Sequence, residues 1–495
     1  MEKIIDKIRK NSSESLDTWG VGYGHFCKII NKFALKTGAE LGVAYGGHSE
    51  AILNNTKIDK LYGIDPYQHT IGYIDKMNYP QDEFDELYKY AIERLSRFKG
   101  RYEHIKKYSK DAVINVPEQI DFIYIDADHS YEGVWNDLCL WFSKIKIEGI
   151  IGGHDYMHPD FPGVKQAIDE FFSRFNWKIN YEGDGVWWVQ KKKINISFFI
   201  PAFNCSSTIT ESVNSITNNN ISDGDKIIIV NDGSTDNTEK VINDLAVKHP
   251  YIKIINHKRN RGGAAARNTA IENSQHNLLF CLDSDNVLAP NSISPLKKFL
   301  IENGADCAAF QKIYFFKDDI NTIHKKISFI SGLITIEYCL GKSLTPPSSG
   351  NYLFTKESWK KAGGYPEFAN ALDTWGFGIQ QLFSGAKMHT LPDTFYFHRR
   401  GHESYFIRED KKRKTSLTAL QILIPYLLLL SKRSENYIMS RRGRYTWFEN
   451  LDKKPLILAK SKRYTKKEII IILKNRFSKI YKIYLKLRYG NLNKI

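Results

Sequence analysis

Two carboxylates, Asp283 and Asp285, stand one residue apart where the apolar run LLFCL (278–282) stops. A pair so spaced can hold a hard divalent cation, and that cation can neutralise a diphosphate leaving group. A second set comes earlier in the chain: Asp126, Asp128, His129, His154 and Asp155. These follow two further apolar runs, IDFIYIDA (120–127) and EGIIGGHDY (148–156). Carboxylates there could bind a metal, and His129 or His154 could act as a general base. Asp128-His129 could equally be a helix-capping turn. Apolar runs that break into polar residues at their C-terminal ends are what an open parallel sheet presents to ligand.

The elements that must position these residues fall into two series. Residues 36–193 alternate strands (37–43, 60–65, 102–108, 120–127, 148–156) with amphipathic helices (132–145, 163–175). The series ends in two short strands, 177–183 and 185–191, joined across Asp184. So close a spacing predicts a hairpin and an antiparallel last strand. The polar joint KKKIN (191–195) puts a boundary near Ile194, and a second strand–helix series begins at once. The fold class expected is α/β, with two doubly wound domains and a basic helical C-terminal region. The domains expected are a helical extension over 1–35, then 36–193, 194–408 and a mostly helical region over 409–495.

A chain of 495 residues is too long for one core. Its six cysteines form no C-x-x-C pair, which argues against a zinc site or disulfide framework and for a reducing compartment. The start of the chain has no apolar run of signal-peptide length, so the expected location is the cytoplasm. The stretch ALQILIPYLLLL (419–430) is too short for a membrane span and contains Pro425; it reads as a buried helix pair. From Lys411 onward there are 23 Lys and Arg against 4 Asp and Glu, while the whole chain carries +16. The rest is therefore near neutral, and the basic character belongs to the tail. Residues 466–490 place Ile469, Leu473, Phe477, Ile480, Tyr484 and Leu487 at helical spacing among lysines. Such a helix suits peripheral attachment to an anionic membrane surface, or packing on the preceding domain with its charges solvated. Nucleic acid is disfavoured as a partner, because no recognised module is present.

Several spaced motifs carry a family resemblance: ISFFIPAFN (196–204), IIIVNDGSTD (227–236), NRGGAAARN (260–268), LDSDN (282–286) and LDTWGFGIQQ (372–381). Over roughly 196–401 the chain resembles the family 2 glycosyltransferases, which have the GT-A fold. The resemblance implies a nucleotide-diphosphate sugar donor and a glycan acceptor. It implies that Pro201, Ala202, Asn204 and Asp232 hold the nucleotide, with Arg267 a contact to it. Asp283 and Asp285 match the family's D-x-D, which implies Mn²⁺ or Mg²⁺ bridging the sugar diphosphate. His398 would complete the metal shell, or be a loop residue or a diphosphate contact; His402 is a second late histidine. Arg399 and Arg400 could meet phosphate oxygens. In the family's Glu-Asp-Trp motif the Asp is the base on the acceptor hydroxyl. Aligned on Trp375, that position holds Thr374, so the base role passes to Asp373, which could otherwise cap the following helix. A single displacement of this kind inverts the anomeric centre.

AELGVAYGGHS (39–49) follows a strand and opens a helix; Gly42 and Gly46 would let the backbone approach a ligand. Alone, this pattern is shared by NAD, flavin and S-adenosylmethionine sites. Asp65, ending the second strand, suits ribose hydroxyls. Together with the terminal hairpin and the block from Ile120 to Phe172, it makes residues 37–190 similar to class I S-adenosylmethionine-dependent methyltransferases of the small-molecule O-methyltransferase type. The resemblance implies that Glu40, Gly42 and Asp65 bind S-adenosylmethionine and that Ser109 or Asp111 sits near the adenine. Ala44 departs from it, where many members carry glycine. Asp126 and Asp155 would bind Mg²⁺, which lowers the pKa of an acceptor hydroxyl. The expectation is a bifunctional glycan-modifying enzyme. The alternative is a glycosyltransferase with an inactive methyltransferase-like scaffold.

Overall fold

The computed structural model describes residues 23–72, 78–341, 350–400, 415–431 and 434. It divides into two compact units, the first running to Ile194 and taking in Ile301–Gly304, the second beginning at Asn195.

In the first unit, strands β1 (Thr37–Leu41), β2 (Lys60–Ile64), β3 (Tyr102–Ile105), β4 (Ile120–Ile125), β5 (Ile145–Gly153), β6 (Asn180–Tyr181) and β7 (Trp187–Gln190) form one sheet. Its order is β3-β2-β1-β4-β5-β7-β6. The pairs from β3 to β5 are parallel, while β7 is antiparallel to both β5 and β6, as the hairpin spacing predicted. All six residues of β4 are buried. A continuous apolar strand of that kind belongs at the centre of a sheet covered on both faces. Helix Tyr131–Trp141 turns Val134, Leu138 and Trp141 inward, and helix Pro162–Ser173 does the same with Val164, Ile168, Phe171 and Phe172. The strands end earlier than the apolar runs suggest. β1 stops at Leu41 because Gly42 turns away at φ 89°, and β5 stops at Gly153, leaving His154 and Asp155 in the following loop.

The second unit's sheet has ten strands among the described residues. β8 (Ile196–Ala202), β9 (Lys226–Asn231), β10 (Ile252–Asn256) and β11 (Leu278–Cys281) are parallel. Beyond β11 the sheet is mixed: β16 (Tyr352–Thr355) lies antiparallel between β11 and β13 (Cys307–Phe316). β13 then pairs parallel with the long β17 (Met388–Arg399), which is antiparallel to β12 (Val287–Leu288). Two short strands, β14 (Ile323–Ser328) and β15 (Gly332–Ile334), add to β13 and β17. The helix Asp373–Phe383 packs over this sheet through Trp375, Phe377 and Ile379, which share a core with Phe354 and Met388.

The expected boundary after residue 408 separates side chains that the structure packs together. Helix Thr415–Leu423 and the 3₁₀ turns Ile424–Leu429 bring Ala419, Ile422, Leu423, Ile424 and Leu430 into the same core as Leu372 and Trp375. The buried helix pair is there, but it belongs to the second unit and not to the tail. Among the described residues no helix is long and apolar enough to cross a membrane. Residues 1–22 of the N-terminal extension, His402 and the basic helix expected over 466–490 lie outside the described residues.

Candidate active sites

In the second unit the functional side chains sit on the C-terminal ends of β8, β9 and β11 and on two helix starts. Asp232 follows β9 and is buried. Its Oδ1 accepts from His257 Nδ1 at 2.7 Å and from the Arg261 amide at 2.9 Å; Oδ2 accepts from the Gly262 amide at 2.8 Å. Asp232 thus fixes the loop that opens helix Gly263–Glu272. Asn204, in the left-handed region at φ 48°, accepts from the Thr235 amide at 2.8 Å and so ties the loop after β8 to the loop after β9. Pro201 and Ala202 end β8, and the Ala202 carbonyl accepts from the Asp232 amide at 2.8 Å. The four residues expected around a nucleotide therefore lie on two adjacent strand ends.

Arg267 is buried, and its guanidinium joins two carboxylates. Nη2 donates to Asp283 Oδ1 at 2.6 Å and Nη1 to Asp373 Oδ2 at 2.7 Å. Burial acts against its charge, and the two carboxylates more than offset that, so its pKa is raised. Asp373 is the first residue of its helix, and its Oδ1 accepts from the Thr374 amide at 2.7 Å. It therefore accepts from a first-turn amide of its own helix, whose N-cap is Leu372, and faces the D-x-D carboxylate through Arg267. Burial pushes the Asp373 carboxyl up, with Arg267 acting in the opposite direction.

Asp283 is half-buried; its amide donates to Asn351 Oδ1 at 2.7 Å, and Asn286 Nδ2 donates to its Oδ2 at 3.3 Å. Asp285 is pushed up to about 6, first by burial and then by the charge of Asp283. A divalent cation would relieve the burial and like-charge repulsion that hold Asp285 up, so the residues fit a metal. Among the described residues, no group of three ligand atoms within 4.8 Å of one another forms around Asp283 and Asp285, although the charge of Asp283 acts on His398. It lies edge-on to Phe315 with ring centroids 5.1 Å apart, and burial holds its imidazole down to about 4. Arg399 is committed elsewhere. It donates to the Asp285 carbonyl at 3.1 Å and the Lys317 carbonyl at 3.0 Å and pairs with Glu211. It holds the D-x-D loop rather than presenting itself to phosphate.

Sequence reasoning missed His257, Asn286 and Asn351. His257 was within reach, since β9 and β10 pair Asn231 with Asn256 and so bring the next residues, Asp232 and His257, side by side. Asn351 lies 68 residues from Asp283 and carries no local signal.

In the first unit, Asp126, His154 and Asp155 offer ligand atoms that all lie within 4.8 Å of one another. His129 Nε2 is 3.1 Å from Asp155 Oδ2 and 3.4 Å from Asp126 Oδ1; His154 Nδ1 is 3.2 Å from Asp155 Oδ1. Burial would raise Asp155, but hydrogen bonds from both histidines hold it well below the usual carboxylate range. His154 is lowered by burial, and the bond to Asp155 together with the charge of Asp126 brings it above its ordinary value. The capping role belongs to Ser130, which accepts from the Gly133 amide at 3.0 Å, while Asp128 accepts from the Ser130 amide at 2.8 Å. His129 is left to face the carboxylates, stacked on Phe161 with centroids 4.4 Å apart.

The glycine loop lies against this cluster. A Cβ at Gly42 would stand 1.9 Å from the Asp126 carbonyl oxygen, so only glycine allows that approach. Gly46, at φ 79°, opens helix Gly47–Asn55. Asp65 accepts from the amides of Val43 (3.1 Å), Ala44 (3.0 Å) and Tyr67 (2.8 Å), so its carboxylate holds the loop in place, and burial pushes it up. Glu40 is buried beneath the loop and receives His48 at 2.8 Å and the Ser49 hydroxyl. Ser109 donates to the buried Asp137, and Asp111 is exposed. The residues expected at the cosubstrate thus divide into a glycine loop, the two acids that brace it, and a separate pair at Ser109 and Asp111. Such a cradle fits an adenosyl group.

Comparison with known proteins follows the same division. Residues 197–361 match the model of glycosyl transferase family 2, and residues 35–156 match that of a methyltransferase domain. Chondroitin synthase of Pasteurella multocida (strain Pm70) is 33% identical over 181 residues, which is 36% of this chain and 18% of that protein. Hyaluronan synthase of Pasteurella multocida is 33% identical over the same length and shares. The chain thus spans about a fifth of the length of these relatives. Among solved structures, S. aureus TarS 1–349 in complex with UDP-GlcNAc is 16% identical, with a TM-score of 0.41 over 50% of this chain and 70% of that one.

Proposed function

Because the chain joins a methyltransferase-type domain to a family 2 glycosyltransferase domain, we propose that it transfers a sugar from a nucleotide-diphosphate donor to a glycan acceptor. Its first unit, on this reading, methylates a hydroxyl of a sugar or glycan. The observation that carries the first activity is the alignment of Asp283 and Asp373 on one buried guanidinium. On this reading Asp283 stands on the donor side and Asp373 on the acceptor side of a single displacement, linked by one side chain. A divalent cation (Mn²⁺ or Mg²⁺) bound at Asp283 and Asp285 supplies the charge that stabilises the departing diphosphate. Pro201, Ala202, Asn204 and Asp232 shape the floor for the nucleotide. Asp373 takes the acceptor proton, and the burial that pushes its carboxyl up makes it a stronger base than an exposed aspartate. Attack from the face opposite the leaving group inverts the anomeric centre. Polysaccharide synthases among the relatives support a glycan acceptor.

For the first unit, S-adenosylmethionine supplies an electrophilic methyl group, and a cation at Asp126, His154 and Asp155 favours the ionised acceptor hydroxyl. On this reading Gly42 and Gly46 keep the backbone close to the cosubstrate, Asp65 and Glu40 brace that loop, and His129 takes the hydroxyl proton. The proximity of Gly42 to Asp126 supports one site for both substrates.

Screening UDP- and GDP-sugars with Mn²⁺ for stabilisation and transfer tests the first activity; no nucleotide sugar binding in the presence of metal would overturn it. Calorimetry with S-adenosylmethionine tests the second. Absence of binding there would favour the alternative, a glycosyltransferase carrying an inactive scaffold.

A further inference from the structure

We propose that Arg267 is a positioning residue that couples occupancy of the donor metal site at Asp283 to the state of the acceptor base Asp373, rather than a contact to the nucleotide. This rests on the transferase reading of the second unit. Arg267 lies in the small-residue helix start, where it was expected to reach toward the nucleotide. Instead its two terminal nitrogens are spent, one on each carboxylate, at 2.6 and 2.7 Å. The neighbourhood fixes that geometry. A Cβ at Gly263 would stand 2.7 Å from Arg267 Nη1 and 3.1 Å from Asp373 Oδ2, so the absence of a side chain there leaves room for the pair. The Tyr365 ring lies 5.7 Å from the guanidinium carbon and covers it.

The energetic consequence follows from sharing. One guanidinium between a buried and a half-buried carboxylate gives each only part of its attraction. A cation arriving at Asp283 competes with Nη2 for Oδ1, which turns the shared charge toward Asp373. Removing the charge of Asp373 turns it toward Asp283 and makes the cation's competition harder. Linkage makes the two effects equal in size. Donor loading would thereby hold the Asp373 carboxylate in place for the acceptor, and an empty donor site would leave it less firmly set.

The experiment is a binding cycle on the full chain carrying Asp126→Asn throughout, so that the first unit's cation site does not contribute, with depletion of free Mn²⁺ followed by electron paramagnetic resonance in the presence of UDP, and of GDP as the second nucleotide. Asp373→Asn should weaken Mn²⁺ uptake by about fivefold or more, the scale of a modest coupling, although Asp373 is no metal ligand. In an Arg267→Gln background the same substitution should have no effect. Arg267→Lys, which keeps the charge but cannot span both carboxylates, should also lose the coupling while lowering kcat more than it raises the donor KM. Thermal unfolding identifies variants that fail to fold, and Arg267→Lys carries the comparison if the glutamine variant does. Unchanged Mn²⁺ affinity in Asp373→Asn overturns the proposal, as does an effect that persists without Arg267. A donor KM raised with kcat intact in Arg267→Lys also overturns it, because that is the signature of a nucleotide contact. If the chain carrying Asp126→Asn alone takes up no Mn²⁺ with either nucleotide, the transferase reading itself falls.

Discussion

The two units each gather carboxylates at strand ends, but they manage the charge in opposite ways. In the first unit, Asp155 sits between two imidazoles and is held low, so its cluster is compensated before any ligand arrives. In the second, Asp283 and Asp373 share one arginine, while Asp285 is left to rise to about 6. A compensated site is stable when empty and binds a metal by exchanging partners. An under-compensated site binds a cation to relieve repulsion, and its affinity depends on which carboxylates are already engaged. The same residue types at similar positions therefore do not imply the same metal chemistry.

The strongest test of whether the second site is built as described is to remove what holds it. Ending the chain after residue 408 deletes Ala419, Ile422, Leu423, Ile424 and Leu430 from the core that carries the Asp373 helix. Burial of the four larger aliphatic side chains is worth about 1.5–3 kcal/mol each, and the sum is comparable to the whole stability of a domain. Truncation there should abolish the second unit's calorimetric transition, whereas ending the chain after residue 434 should preserve it. Next in size is the chemistry. Asp283→Asn should lower sugar transfer by about 10²–10³-fold, as expected when charge stabilisation of a leaving group is lost, and should leave S-adenosylmethionine binding unchanged. Asp126→Asn should do the reverse, lowering methyl transfer and sparing sugar transfer. A variant that impairs both reactions equally would break the division into two independent sites.

How much of this was legible in the sequence depends on distance along the chain. Asp283 and Asp285, the turn at Asp232 and the Gly-Ala helix start are local patterns, and each stands where its strand end puts it. The hairpin before residue 191 was also legible, because close spacing leaves the chain no other way to return. The Gly-Ala motif points Arg267 toward a nucleotide, but its bond to Asp373, 106 residues away, has no signal in the sequence, because no periodicity links them. His398 carries three readings in the sequence, a metal ligand, a loop residue or a diphosphate contact, because nothing local distinguishes them; its strand sets its ring edge-on to Phe315. The segment 419–430 reads as a buried helix pair, and its apolar side chains are buried, but composition alone assigned it to the basic tail. Packing, not charge, decides where a domain ends.

Asp137 sharpens the contrast within the first unit. It is buried, receives the Ser109 hydroxyl, and is pushed up to about 7 by burial, in contrast to Asp155 beside its histidines. The folded pKa lies above the unfolded value of 3.8, so between about pH 4 and 7 the native state keeps a proton that the unfolded chain releases. Stability should fall as pH rises through that window and level off above it. Asp137→Asn retains an acceptor for Ser109 and does not titrate. At pH 8 it should be more stable than the wild type by on the order of 2–4 kcal/mol, with the difference vanishing near pH 4. The first unit's thermal transition, recorded across that range, reads this directly; a gap that does not change with pH would show that Asp137 is not the titrating group.

The smallest effect concerns the loop that joins the two halves of the first site. Ala44 occupies φ 48°, in the left-handed region, beside Gly42 and Gly46 at φ 89° and 79°. Three residues of the turn thus take positive φ, and only Ala44 carries a Cβ there. Asp65 accepts from its amide and Tyr67 donates to its carbonyl at 2.7 Å, so the conformation is imposed from both sides. An L-residue in this region costs roughly 1–2 kcal/mol, and glycine avoids the strain while loosening the unfolded chain. Ala44→Gly should therefore stabilise the first unit by about 0.5–1 kcal/mol in urea unfolding. It should leave S-adenosylmethionine affinity within twofold, because the amide that Asp65 holds is unchanged. Destabilisation by the glycine would mean that the alanine methyl group packs favourably in the turn. In that case the departure from glycine at this position would be a stabilising adaptation, not a strain tolerated for the sake of the loop.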